Sequence, residues 1–166
     1  MNTQAELTTL TAVQAAQRIA DGRLRSVDLV KALLARIDET AGLTAYIHLD
    51  RDALLTAAAE ADAADPKARA GRPLHGVPLV LKDNIDVAGV ASTAGSRAMA
   101  DRVPKQDSPL AARLRAAGAL VLGKANMHEF AYGITTNNTP FGAARNPYDP
   151  SRMPGGSSGG TAVAVA

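Results

Sequence analysis

The chain has no cysteine and no tryptophan, and its aromatic residues amount to only 3%. The lack of cysteine excludes disulfides, thiolate metal sites and a cysteine nucleophile. With so few aromatics, the core has to be packed from Ala, Leu, Val and Ile. No apolar run approaches the ~18 residues that would announce a membrane-spanning helix. The opening stretch "MNTQAELTTL" has neither the basic nor the apolar segment of a signal peptide. A cytoplasmic protein without membrane association is therefore expected. Charge of one sign is also missing: 18 Lys and Arg face 16 Asp and Glu, for a net charge of +2. No dense basic block interleaved with aromatics occurs, so nucleic acid is not an expected direct partner. No internal repeat or low-complexity tract is present.

What the chain does have is 166 residues, 46% of them hydrophobic. That suits one domain, which would bury roughly 70% of the surface its unfolded form exposes. Residues 1–70 read as a helical region. In "TAVQAAQRIADG", Val13, Ala16 and Ile19 recur at helical spacing, with Gly22 as a stop. A second helix is predicted from an N-cap at Ser26, with Leu29, Leu33 and Ile37 along one face and Gly42 at its end. "TAYIHL" suggests a short strand. "RDALLTAAAEADAAD" predicts a third helix closed by Pro66.

Residues 71–166 read differently. Gly71, Pro73, Gly76 and Pro78 punctuate a loop, and "VPLVLK" follows as a buried strand ending at Lys82. Ser108 and Pro109 open a helix carrying Leu110 and Leu114, and "LVLGK" is a further apolar strand. Strand, helix, strand with continuous apolar runs predicts a mostly parallel α/β arrangement. "NMHEFAYG" suggests a short helix. The pattern-poor stretch from Gly133 to Gly156 suggests a functional loop.

Two places invite chemistry. Lysines ordinarily sit in solvent, but Lys82 ends an apolar strand, beyond whose carboxyl end α/β proteins bind ligands. Partial desolvation there would lower its pKa and let the neutral amine act as a base. The second place is "PGGSSGGTAVAVA", where four glycines enclose Ser157 and Ser158. A phosphate loop has the right glycine spacing in Gly155 and Gly160, but Thr161 stands where its lysine belongs. The dinucleotide-binding glycine pattern fails in register. A Gly/Ser linker is opposed by the apolar segment that follows at once. A tight turn presenting a serine hydroxyl remains. "HEFAY" begins like a zinc-protease helix, but Tyr132 replaces the second histidine, so no metal site is expected.

Together, "HGVPLVLKDNIDVAG", "GALVLGKANMHEFAYGITTNNTPFG" and "RNPYDPSRMPGGSSGGTAVAVA" resemble the amidase signature family. The resemblance runs from about Gly71 onward, and its two principal motifs place Lys82 and Ser157 75 positions apart. It implies the N-terminal part of a single amidase domain spanning 1–166, with a mixed, mostly parallel sheet covered by helices on both faces. It implies a Ser–cis-Ser–Lys triad in which Lys82 is the lysine and Ser157 the cis serine. Ser158 would support the relay, and the backbone of Ala131, Tyr132 and Gly133 would contact substrate. The nucleophile would lie on a later segment, so the 166-residue chain is expected to be inactive alone. The implied reaction hydrolyses a small-molecule amide to acid and ammonia without metal or organic cofactor, with a homodimer possible at full length. His128 and "GITTNN" resemble arylacetamide hydrolases more than glutaminyl-tRNA amidotransferase subunits. An amidotransferase-like glutamine amidase and an inactive fragment or incomplete gene product remain the alternatives.

Overall fold

The computed structural model describes residues 3–166, which divide into two compact units. The first comprises the chain up to Glu39, Asp50–Leu79 and Arg113–Leu122; the second comprises Thr40–Leu49, Val80–Ala112 and Gly123–Ala166.

The first unit is built mainly from helices. They are α1 (Gln4–Thr8), α2 (Ala12–Ala20), α3 (Ser26–Glu39), α4 (Arg51–Ala63) and α5 (Pro66–Arg69). Its core gathers Leu7, Ala15, Ile19, Leu24, Leu29, Ala32 and Val77. α3 packs against both α1 and α4. α2 starts with a reciprocal capping box: the Thr11 hydroxyl accepts from Gln14 N, and Gln14 Oε1 accepts from Thr11 N. It stops where Gly22 turns to φ +70°. The buried face of α2 carries Ala15 and Ile19, while Val13 is 77% exposed, so the face expected through Val13 is rotated.

Two other expectations are corrected. Ser26 is not a self-sufficient N-cap: its hydroxyl donates to the Gly76 carbonyl, 2.6 Å away. The free N–H groups of Ser26 and Val27 are taken by the Asp62 carboxylate of α4 at 2.7 and 3.1 Å. Pro66 does not merely close a helix; it opens α5 behind an Asp65 cap. The helix α1 is unexpected, since a five-residue turn with Leu7 as its buried side chain leaves no periodicity to read.

The strands are β1 (Tyr46–His48), β2 (Pro78–Lys82) and β3 (Leu120–Ala125), in the order β1-β3-β2. β1 is antiparallel to β3, with a register shift between Tyr46 and His48. β2 and β3 run in the same direction, as the bonds Leu120 N to Val77 O and Asp83 N to Ala125 O show. The sheet is thus small and mixed, and the fold class is α/β. In β2 only Leu81 is fully buried; the rest is half-buried, less than its apolar composition suggests. Helix α6 (Pro109–Ala116) has the expected start, with Ser108 Oγ accepting from Ala111 N. Ala111 is its buried side chain, and Leu110 is 49% exposed.

The second unit contains little other regular structure before α7 (Gly159–Val165). The segment read as a short helix at 126–133 is a single 3₁₀ turn, Glu129–Ala131, in which Phe130 and Ala131 take φ of 50° and 58°. An L-residue in the left-handed region breaks helical continuity.

Candidate active site

The site lies within the second unit. β2 delivers Lys82 to its carboxyl end, where the side chain is half-buried. Lys82 Nζ donates to Ser157 Oγ over 2.7 Å. Partial removal from water holds the amine below the ordinary lysine pKa, because burial penalises the charged form. The peptide bond between Gly156 and Ser157 is cis. Ser157 is further fixed by its carbonyl, which accepts from His128 N at 3.1 Å.

The glycine-rich stretch is packed backbone rather than a linker. Gly160 N donates to Asn126 O at 3.0 Å, and a Cβ on Gly160 would run into the Asn126 backbone. Asn126 is itself immobilised, its side-chain amide donating to the carbonyls of Thr44 and Gly142 at 2.9 and 3.0 Å. Strand end and serine turn are therefore held by direct main-chain contacts.

Of the other expected residues, Ser158 adjoins Ser157 in the chain. Ser158 is exposed at the head of α7 and makes no side-chain capping bond; its carbonyl accepts from Ala162 N. Ala131, Tyr132 and Gly133 lie three to five positions after His128 in the chain. Tyr132 is 95% exposed, and Gly133 lies under the His128 ring so closely that a Cβ would overlap it. The His128 ring meets the Thr135 hydroxyl at 3.2 Å through Nδ1. No group of three or more His, Cys, Asp or Glu suited to a metal ion occurs among the described residues.

Sequence reasoning missed a second lysine. Lys124, near the end of β3, is fully buried. Its Nζ lies 2.6 Å from Ser92 Oγ and 3.5 Å from Asp83 Oδ1, and Asp83 is fully buried too. The other oxygen of Asp83 accepts from Thr93 N, Thr93 Oγ1 and Gly95 N at 2.5–3.1 Å. Burial lowers the Lys124 pKa, and the Asp83 charge partly opposes that. The signal was present: "LVLGK" ends on a lysine after an apolar run just as "VPLVLK" does. Asp83 follows Lys82 directly, so this ion pair anchors the strand end from which Lys82 projects.

A desolvated amine in hydrogen-bond contact with a serine hydroxyl is a pair able to pass a proton, held on an α/β frame. The family model for Amidase matches residues 28–166, and the chain belongs to the amidase family. It is 46% identical over 159 residues to a glutamyl-tRNA(Gln) amidotransferase subunit of Chloroflexus aurantiacus, covering 95% of this chain and 32% of that protein. Among solved structures it resembles the native peptide amidase of Stenotrophomonas maltophilia. The TM-score is 0.83 and the identity 42%, over 94% of this chain and 34% of that one. The corresponding glutamyl-tRNA(Gln) amidotransferase subunit of Thermotoga maritima gives a TM-score of 0.74 at 28% identity, over 96% of this chain and 32% of that one. The chain spans about a third of the length of these relatives.

Proposed function

We propose that this chain is the front part of an amide hydrolase, in which Lys82 and Ser157 relay protons for a serine nucleophile on a later segment. The 2.7 Å contact between Lys82 Nζ and Ser157 Oγ carries the reading. Neutral Lys82 takes the proton of Ser157, and Ser157 takes that of the nucleophile as it attacks the amide carbonyl. The relay then returns a proton to the leaving nitrogen, and ammonia departs from the acyl-enzyme. Water, deprotonated through the same relay, releases the acid. Ser158 supports the relay, and the backbone of Ala131, Tyr132 and Gly133 contacts the substrate. The chain by itself has no turnover, because its nucleophile lies elsewhere.

The substrate we propose is a small carboxylic acid amide of the arylacetamide type, on the basis of His128 and "GITTNN". The 46% identity to the Chloroflexus aurantiacus protein favours a second reading, glutamine hydrolysis within an amidotransferase. Ammonia release by the full-length protein separates the two. Turnover of an arylacetamide without ATP, tRNA or other subunits is expected. Glutamine turnover that depends on further subunits would establish the second reading instead.

A further inference from the structure

Thr136 belongs to a segment without helix or strand, yet it is fully buried and holds φ at +53°. A β-branched residue in the left-handed region is a genuine backbone outlier. Such a conformation persists only where its surroundings over-determine it. Its hydroxyl is used in both directions. Thr136 Oγ1 donates to the Gly155 carbonyl at 2.7 Å and accepts from Gly159 N at 2.9 Å. Gly155 and Gly159 stand two residues before and two residues after Ser157. One hydroxyl thus closes a five-residue loop with Ser157 at its apex.

The same contact caps α7. A helix leaves its first N–H groups without partners, and Ser158 at the cap position supplies no side-chain acceptor. Thr136 supplies it from 23 residues away. A Cβ on Gly159 would overlap the Thr136 side chain, so this approach requires glycine. Thr136 is in turn held by its own carbonyl, which accepts from Ala144 N at 3.1 Å.

We propose that Thr136 is a positioning residue for the relay: its hydroxyl, bonded to Gly155 and Gly159, holds Ser157 Oγ on Lys82 Nζ. This rests on the reading of Lys82 and Ser157 as the proton relay. Displacement of a reacting group by about 1 Å costs on the order of 100-fold in rate, and that is the loss expected when the hydroxyl goes.

The test uses the full-length protein, with amide turnover measured for Thr136→Ser, Thr136→Ala and Thr136→Val beside Ser157→Ala. Thr136→Ser and Thr136→Ala differ only in the hydroxyl, so they separate the two bonds from simple packing even if Thr136→Val fails to accumulate. Thr136→Ala is expected to lose about 100-fold in kcat with KM little changed, while Thr136→Ser keeps most of the wild-type kcat. The Gly159 amide should exchange with solvent faster in Thr136→Ala than in Thr136→Ser. Equal kcat in Thr136→Ser and Thr136→Ala would overturn the assignment while leaving the relay intact, provided Ser157→Ala is dead. Wild-type turnover in Ser157→Ala would overturn the relay reading, and the role of Thr136 with it.

Discussion

The two units bury different things. In the first, the interior is made of Leu, Ile, Val and Ala, and Ser26 is its buried polar residue among those described. In the second, Asp83, Ser92, Thr93, Ser96, Lys124, Asn126, Thr136 and Asn138 are all buried. Apolar burial is non-directional, so it fixes helices against one another without dictating where a particular atom sits. Buried polar groups need partners at defined distances and angles, so directed contacts among them constrain irregular backbone. The first unit is held together by area; the second buries Leu81, Val87, Met127 and Val163 too, but adds many directed polar contacts. A proton relay needs geometry, and the Lys82–Ser157 contact lies in the second.

The sharpest way to test this division is to remove Lys82, the lysine of the proposed relay. Lys82→Ala in the full-length protein is expected to lower amide turnover by about 10²–10⁴-fold, the usual cost of losing a general base. Its unfolding midpoint should stay near wild type, because the side chain is only half-buried and its charged form is penalised there. Turnover within a few-fold of wild type would leave the second unit without its chemistry. The acid–base behaviour adds a sign. Lys82 has a lowered pKa, so kcat/KM should rise with pH on a limb below the ordinary lysine value of about 10.4. Within the same window the unfolded chain binds more protons than the folded one, so the Lys82 contribution to stability also rises with pH. A limb at the ordinary lysine pKa would mean that the amine is not desolvated.

Next in size is the buried ion pair. Asp83→Ala leaves the Lys124 ammonium without its carboxylate and deprives Thr93 and Gly95 of their common acceptor. Breaking a buried pair from one side costs about 3–5 kcal/mol. Leu29→Ala in the first unit, where Leu29 is 3% exposed within the core, should cost about 2–5 kcal/mol through lost burial and a cavity. Denaturant unfolding measures both. The two losses should differ in kind: Asp83→Ala should also depress turnover, since Asp83 adjoins Lys82, whereas Leu29→Ala should leave kcat of the folded fraction unchanged. Equal effects on kcat would erase the distinction between the units.

The same contrast explains what could be read from sequence. In the first unit α2, α3 and α4 stand where periodicity and the spacing of Ala, Leu and Ile put them, whereas α1 and α5 are too short to leave a period. The other errors there are rotations and ends. Val13 is out in solvent because Ala15 and Ile19, four apart, define the buried face. Ser26 surrenders its cap role to Asp62, 36 residues away. In the second unit, Lys82 was legible as a lysine ending an apolar run, and Ser157 through its glycine setting and family resemblance. Lys124 and Thr136 were not singled out. Lys124 does end an apolar run, but its pairing with Asp83 and that of Thr136 with Gly159 span 41 and 23 residues, and no local pattern encodes those partners. The left-handed turn at Phe130 and Ala131 was likewise read as helix, because "NMHEFAYG" carries no glycine where the chain turns.

The smallest expected effect probes the first unit where it does depend on direction. The Thr11–Gln14 capping box satisfies two N–H groups reciprocally, with bonds of 3.2 and 2.9 Å at exposed positions. Thr11→Ala removes the side-chain acceptor for Gln14 N, and water can take its place because the site is open. The loss should be about 1 kcal/mol, typical of a cap. It should appear as fraying of α2 in amide exchange, with turnover untouched. Gln14→Ala removes the reverse bond and should cost less, since the Thr11 hydroxyl still caps the helix. A loss from Thr11→Ala as large as that from Leu29→Ala would mean that the first unit, too, is held by directed polar contacts, and the contrast with the second would fail at its weakest expected point.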